Sequence, residues 1–152
     1  MNIFCDTIII MEILQQRKFA AEVNLILTDA IGKGYGLFIS LGSFYTVTYL
    51  VERYLKEDKT LSKEERLSRL RYILNGVLDT FKLAGQLPDS IIEGVNDERF
   101  DDLEDSYQAH AAEEMGCGVL LTVNEKHFAR FNAFSSVQVL TPQQYLEQHI
   151  SD

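Results

Sequence analysis

The amino-acid sequence predicts an α/β fold, with a small central parallel sheet of four to five strands flanked by helices on both faces. Short apolar runs alternate with longer stretches in which apolar residues recur at three- and four-residue spacing. Strands met singly between helices pair in parallel, and such a sheet must be covered on both faces. Size is the third observation: 152 residues, 46% hydrophobic with only 2 prolines, can bury one substantial core, so residues 1–152 read as a single domain.

Asn2 to Cys5 is the first strand, ending at the polar pair Asp6-Thr7. The apolar run from Ile8 to Leu14 divides into strand, turn and buried helix, and a further helix spans Phe19 to Ile31, stopped by Gly32. Leu37 to Ile39 is a second strand closed by Ser40. The segment from Gly42 to Lys56 is a helix with Phe44, Val47, Leu50, Val51, Tyr54 and Leu55 on one face; Tyr45, Tyr49 and Tyr54 are expected to pack. Ser62 and Glu65 form a capping-box pattern before the next helix. Thr80 to Leu83 is a third strand, and Pro88-Asp89 opens a short helix. Leu103, Tyr107, Ala111 and Met115 then repeat at four residues until Gly116 ends that helix. Val119 to Thr122 and Val137 to Leu140 are the last strands. Thr141-Pro142 with Gln144 caps a terminal helix.

A net charge of -9 supplies no global field for nucleic acid, so a polyanion must be met by a local basic surface or by metal ions. No apolar run reaches the length of a membrane span, and the start, MNIFCDTIII, lacks a basic leader region, so a cytoplasmic protein with no membrane contact is expected. Cys5 and Cys117 are expected as reduced, buried thiols.

Asp97, Glu98, Asp101, Asp102, Glu104 and Asp105 place six carboxylates within nine residues at a helix start, where the helix dipole also favours acids as caps. Asp102 and Asp105 are three apart and can face the same way. Asp6, at a strand end that is also an N-cap position, can point into the same crevice, because parallel sheets place sites at strand C-termini. Carboxylates so gathered repel unless protonated or neutralised by a hard cation, for which oxygen donors suit Mg²⁺ or Mn²⁺. His127 has no His or Cys partner at metal-ligand spacing and is expected on the surface. Gly32, Gly34 and Gly36 precede a strand, which excludes a phosphate loop and reads as a turn.

Four segments, in order, resemble the PIN domain, particularly the branch related to VapC-type toxins. They are CDT around Asp6, FISLGSFYTVTYLV from Phe38 to Val51, FDDLEDSYQAHAAEEMGCGVLLTVNEKHF from Phe100 to Phe128, and VLTPQQYL from Val139 to Leu146. The resemblance covers nearly the whole chain. It implies a metal-dependent ribonuclease holding Mg²⁺ or Mn²⁺, with RNA as substrate, an antitoxin protein as partner and a homodimeric state. Asp6 is similar to the family's first acid and Asp105 to the acid of its third motif, while Asp102 and Glu104 match the acid-rich lead-in.

Four positions depart from the pattern. Ile8 stands where the family usually has Asn, Thr46 aligns where it brings Glu or Asn, and Val123 and His127 replace an arginine and an acid after the fourth strand. Asn124 retains a neutral carbonyl oxygen there. Lost flanking charge lowers affinity for hard cations, so a PIN fold serving as a binding or regulatory protein without hydrolysis is the alternative expectation.

Overall fold

The computed structural model describes residues 1–150. The strands are β1 (Asn2–Cys5), β2 (Gly36–Ser40), β3 (Lys82–Ala84), β4 (Val119–Leu121) and β5 (Gln138–Leu140). They form one sheet in the order β3-β2-β1-β4-β5 with every pair parallel. The helices are α1 (Thr7–Leu14), α2 (Ala20–Gly32), α3 (Leu41–Lys56), α4 (Lys63–Thr80), α5 (Pro88–Val95), α6 (Leu103–Glu114), α7 (Ala129–Asn132) and α8 (Pro142–His149), with a 3-10 turn at Glu125–Phe128.

Alternate strand residues point to opposite faces of the sheet, and this splits the interior into two cores. Ile3, Cys5, Leu37, Ile39, Val119 and Leu121 pack with α1, α2, α3, α4 and Tyr145 of α8. Phe4, Phe38, Leu120 and Val139 pack on the other face with Ala109 and Ala112 of α6, and with Phe100, Phe128 and Phe131. These three rings meet at centroid distances of 5.8 and 5.7 Å, geometry that adds to their burial. Both predicted capping boxes form, Ser62 with Glu65 on α4 and Thr141 with Gln144 on α8.

Several local expectations are corrected. The apolar run after β1 contains no strand: α1 begins directly at Thr7 and buries Ile9, Ile10 and Met11. Gly32 does not stop α2 but closes its last turn; the reversal falls at Gly34, whose φ of +70° suits glycine. Thr80 ends α4 rather than opening β3. The three tyrosines of α3 do not pack inside: Tyr45, Tyr49 and Tyr54 are 66%, 60% and 59% exposed, and the buried stripe is Ser43, Val47, Val51 and Leu55. Four-residue spacing defines that stripe, and the tyrosines lie outside it.

β1 is the central strand. Its register pairs Ile3 with Leu37 and Cys5 with Leu121, so one residue further on Asp6 lies level with Ser40 and Thr122. The carboxyl ends of three adjacent strands thereby open together.

Candidate active site

Asp6 occupies the N-cap position of α1, yet its side chain makes no capping hydrogen bond. Instead Oδ2 accepts from the Thr122 hydroxyl at 2.9 Å, while the Asp6 amide donates to the Leu121 carbonyl at 3.0 Å. Thr122 is itself held by β4 and accepts from the Asn124 amide at 3.1 Å. Asp6 is 6% exposed. Burial raises it from 3.8 to about 6, with the charge of Asp105 adding to that effect and the Thr122 hydroxyl opposing it.

Asp105 lies in the first turn of α6 and is buried. Its carboxyl is also pushed up, first by burial and then by the charge of Asp102, with His127 pulling the other way. His127 Nδ1 lies 3.1 Å from Asp105 Oδ2. The histidine is on the surface, as expected, with its side chain 57% exposed, but it has a partner that spacing did not suggest. The two residues belong to different elements and meet only because the 3-10 turn folds back beside α6.

The other predicted site residues separate. Asp102 stands close enough for its charge to raise the Asp105 carboxyl. Its Oδ1 accepts from the amides of Glu104 (2.9 Å) and Asp105 (3.4 Å), making it the N-cap of α6, and capping rather than crevice geometry sets its orientation. Glu104 is exposed, and its charge reaches both Asp6 and Asp105. Asn124 is exposed at the head of the 3-10 turn, and its backbone amide donates to Thr122. Ile8 packs against the core, and Thr46 Oγ1 donates back to the Gly42 carbonyl of its own helix. Among the described residues, no group of three or more His, Cys, Asp or Glu side chains is placed to share one metal ion. Asp6 and Asp105 remain as two carboxyls that are both pushed up, and the charge of Asp105 contributes to the rise at Asp6. That donor set fits a cation such as Mg²⁺, which one or two carboxylates hold while water and substrate oxygens fill its remaining positions.

Beside Asp6 runs a buried hydroxyl network that was not foreseen. Thr7 Oγ1 and Ser43 Oγ are 2.7 Å apart, Ser40 Oγ donates to Ser43 Oγ at 3.0 Å, and Gln108 Nε2 donates to the same atom at 2.8 Å. It fastens α1, β2, α3 and α6 around the strand ends. A cavity of about 430 Å³ lies between α3 and α6, reaching Glu104 and Gln108. On the His127 side, a second cavity of about 340 Å³ is bounded by Arg99, Asp101, Asp102, Lys126, His127 and Arg130. Its lining mixes cationic side chains with two carboxylates, and Arg99 is already paired with Asp97.

Asp97, from the same acidic run, is engaged elsewhere. The Arg99 guanidinium grips it with contacts of 2.9 and 2.7 Å, and His110 Nε2 lies 2.8 Å away. Arg99, and behind it His110, hold the Asp97 carboxyl well below the usual carboxylate range. Cys5 and Cys117 are free and buried, and burial pushes both thiols up, away from reactivity.

No protein-family model matches the chain, and no curated protein matches its sequence. Solved structures do resemble it. VapBC2 from Rickettsia felis, determined bound to a DNA fragment from its promoter, gives a TM-score of 0.66 at 15% identity, covering 93% of this chain and 98% of that one. FitAB bound to an IR36 DNA fragment gives 0.67 at 15% identity, covering 97% and 99%. The fold is PIN-like, as the sequence predicts.

Proposed function

We propose that the chain is a metal-dependent endoribonuclease of PIN type and the toxin of a toxin–antitoxin pair. The observation that carries this reading is the pair Asp6 and Asp105, two buried carboxylates on neighbouring elements whose charges oppose each other with no arginine or lysine bonded to either among the described residues. A folded chain tolerates that repulsion most readily where a cation is to be bound. Mg²⁺ or Mn²⁺ held there would activate water and offset charge on a phosphodiester. Thr122 fixes the Asp6 carboxylate, and His127 steadies Asp105. Lys126 and Arg130, exposed beside His127, are the cations that would meet RNA phosphates.

The two similar structures are of two-protein complexes, which supports a protein antitoxin for this chain as well, and a homodimer in the cytoplasm is the assembly we assign to it. The outward tyrosines of α3 mark the surface it offers to a partner. Incubating purified protein and RNA with Mg²⁺ or Mn²⁺ tests the reading. Cleavage that Asp6→Asn and Asp105→Asn abolish supports it, and RNA left intact by the native protein removes the catalytic part.

One observation favours a second reading, a PIN fold that binds without hydrolysis. Of the five predicted ligands, Asp102 is turned to its helix, Asn124 has no recorded side-chain bond to the acids, and no three-acid cluster forms among the described residues. Calorimetry with Mn²⁺ separates the two: Asp6-dependent binding argues for the enzyme, and no heat at millimolar metal argues for the binding protein.

A further inference from the structure

The segment after β4 presents three side chains outward from a buried footing. Phe128 and Phe131 are fully buried in the core on the α6 face, whereas Lys126, Arg130 and Phe134 are exposed at successive four-residue steps. Side chains four apart are neighbours one turn along a helix, and the winding continues to the end of this strip: the Ala133 amide donates to the Ala129 carbonyl and the Ser135 amide to that of Phe131. The chain around the tip is fastened as well. Ser135 Oγ donates to Glu113 Oε1 at 2.9 Å, and Asn132 Oδ1 accepts from the Val139 amide at 3.0 Å. Phe134 thus stands in water on an anchored turn, and at 88% exposure it is the most exposed large apolar residue among those described.

A lone exposed ring is ordinary on a protein surface; its company sets this one apart. Lys126 and Arg130 border the cavity that His127 also lines, and neither forms an ion pair among the described residues. Arg130 is steadied by a hydrogen bond from Nη1 to the Glu98 carbonyl at 3.2 Å, which leaves the rest of its fork for a ligand. His127 in turn touches Asp105 at 3.1 Å. The strip therefore runs from Asp105 through His127 and the two cations to Phe134, roughly 10–14 Å beyond His127 along the winding. Two unpaired cations followed by an exposed ring match a single strand of nucleic acid: phosphates answer the charges, and an unpaired base has a flat face for the ring. A lipid surface would call on the same residue types, but one ring offers it little apolar area to bury, whereas a single base is the size that ring fits.

We infer that Lys126, Arg130 and Phe134 form a docking strip for a strand of RNA, with phosphates at Lys126 and Arg130 and a base stacked on Phe134, a few nucleotides from the acid pair. The inference rests on the nuclease reading only for the register of the strand, the phosphate to be cleaved lying at Asp6 and Asp105. The strip itself needs no metal. Stacking reads no base edge, so Phe134 selects an unpaired base rather than a sequence, because a base inside a duplex has no free face to offer. Arg99, committed to Asp97, takes no part.

The test uses metal-free protein, so that nothing is cleaved, and a fluorescein-labelled single-stranded RNA of about ten nucleotides. Phe134→Ala, at a position too exposed to disturb the core, is expected to raise Kd about tenfold by fluorescence anisotropy. Lys126→Gln and Arg130→Gln should each flatten the slope of log affinity against log salt by about 0.7. The chain has no tryptophan, so Phe134→Trp supplies a single reporter, expected to keep the native affinity and to lose emission as a base stacks on the indole. Pairing the RNA with its complement should remove the dependence on Phe134. Native protein that binds no RNA, affinity unchanged in Phe134→Ala, or a Phe134 effect as large on the duplex overturns the inference. So does an indole that shifts to the blue on vesicles of phosphatidylserine and phosphatidylcholine and does not respond to RNA, the mark of a lipid contact. Asp6-dependent RNA cleavage with binding indifferent to Phe134 removes this inference alone; Phe134-dependent binding in a protein that cleaves no RNA when metal is supplied removes the nuclease reading alone.

Discussion

Two aspartates in this chain share a hydrogen bond with a histidine: Asp97 with His110 at 2.8 Å and Asp105 with His127 at 3.1 Å. They come from one acidic run. At Asp97 an arginine fork completes the arrangement, and the carboxyl is held well below its ordinary range. At Asp105 no arginine or lysine is bonded among the described residues, another carboxylate stands nearby, and both acids are pushed up. Compensated charge makes a structural clasp, whereas uncompensated charge marks a candidate site. The acidity of the run does not discriminate between the two; the position of Arg99 does.

The largest expected effect is on activity. Asp6→Asn should lower metal-dependent RNA cleavage by more than the roughly 10–100-fold typical of residues that only support a metal ligand. Asp97→Asn should leave cleavage near the native rate, and an equal loss in both variants would collapse the comparison. Next comes stability against pH in metal-free protein. The folded chain holds a proton on Asp6 up to about pH 6, while the unfolded chain releases it near 3.8. The stabilising contribution is therefore complete below about pH 4 and lost as pH rises through 6, amounting to about 3 kcal/mol, and Asp6→Asn should recover it. Thermal melts at pH 4 and pH 8 check this, and a variant advantage that is no larger at pH 8 contradicts it.

Mn²⁺ should raise the native melting temperature at pH 8 through linkage, by about 2.7 kcal/mol at a hundredfold excess over Kd, with no effect on Asp6→Asn. Replacing Asp97 with alanine should cost about 2 kcal/mol by urea denaturation, since charged hydrogen bonds to Arg99 and His110 are lost together. His127→Ala should cost less than about 1 kcal/mol, because its contact is largely in water.

Much of the fold was legible because it rests on local pattern. Strand runs, both capping boxes and the turn at Gly116 depend on residues adjacent in sequence. Asp6 and Asp105 were legible as the polar residues at a strand end and a helix start. The missed parts are long-range. His127 meets Asp105 across a fold-back, and Gln108 reaches Ser43 from another helix, neither of which leaves a spacing signal. Asp102 is ambiguous from sequence because two chemistries, capping and metal binding, use the same residue at the same helix position, and the structure shows the capping. The tyrosines of α3 sit at near-core spacing yet lie outside, because the four-residue stripe beside them, Ser43, Val47, Val51 and Leu55, already fills the interface.

The central place of β1 has a consequence in time. β1 finds one neighbour in β2, close in sequence, but its other, β4, lies more than a hundred residues further along. Asp6 waits for Thr122 to hold it and for Asp105 to oppose it, and pairings so distant in sequence are slow to form. A chain that ends before α6 therefore carries Asp6 without either Asp105 or Thr122, half of the candidate site.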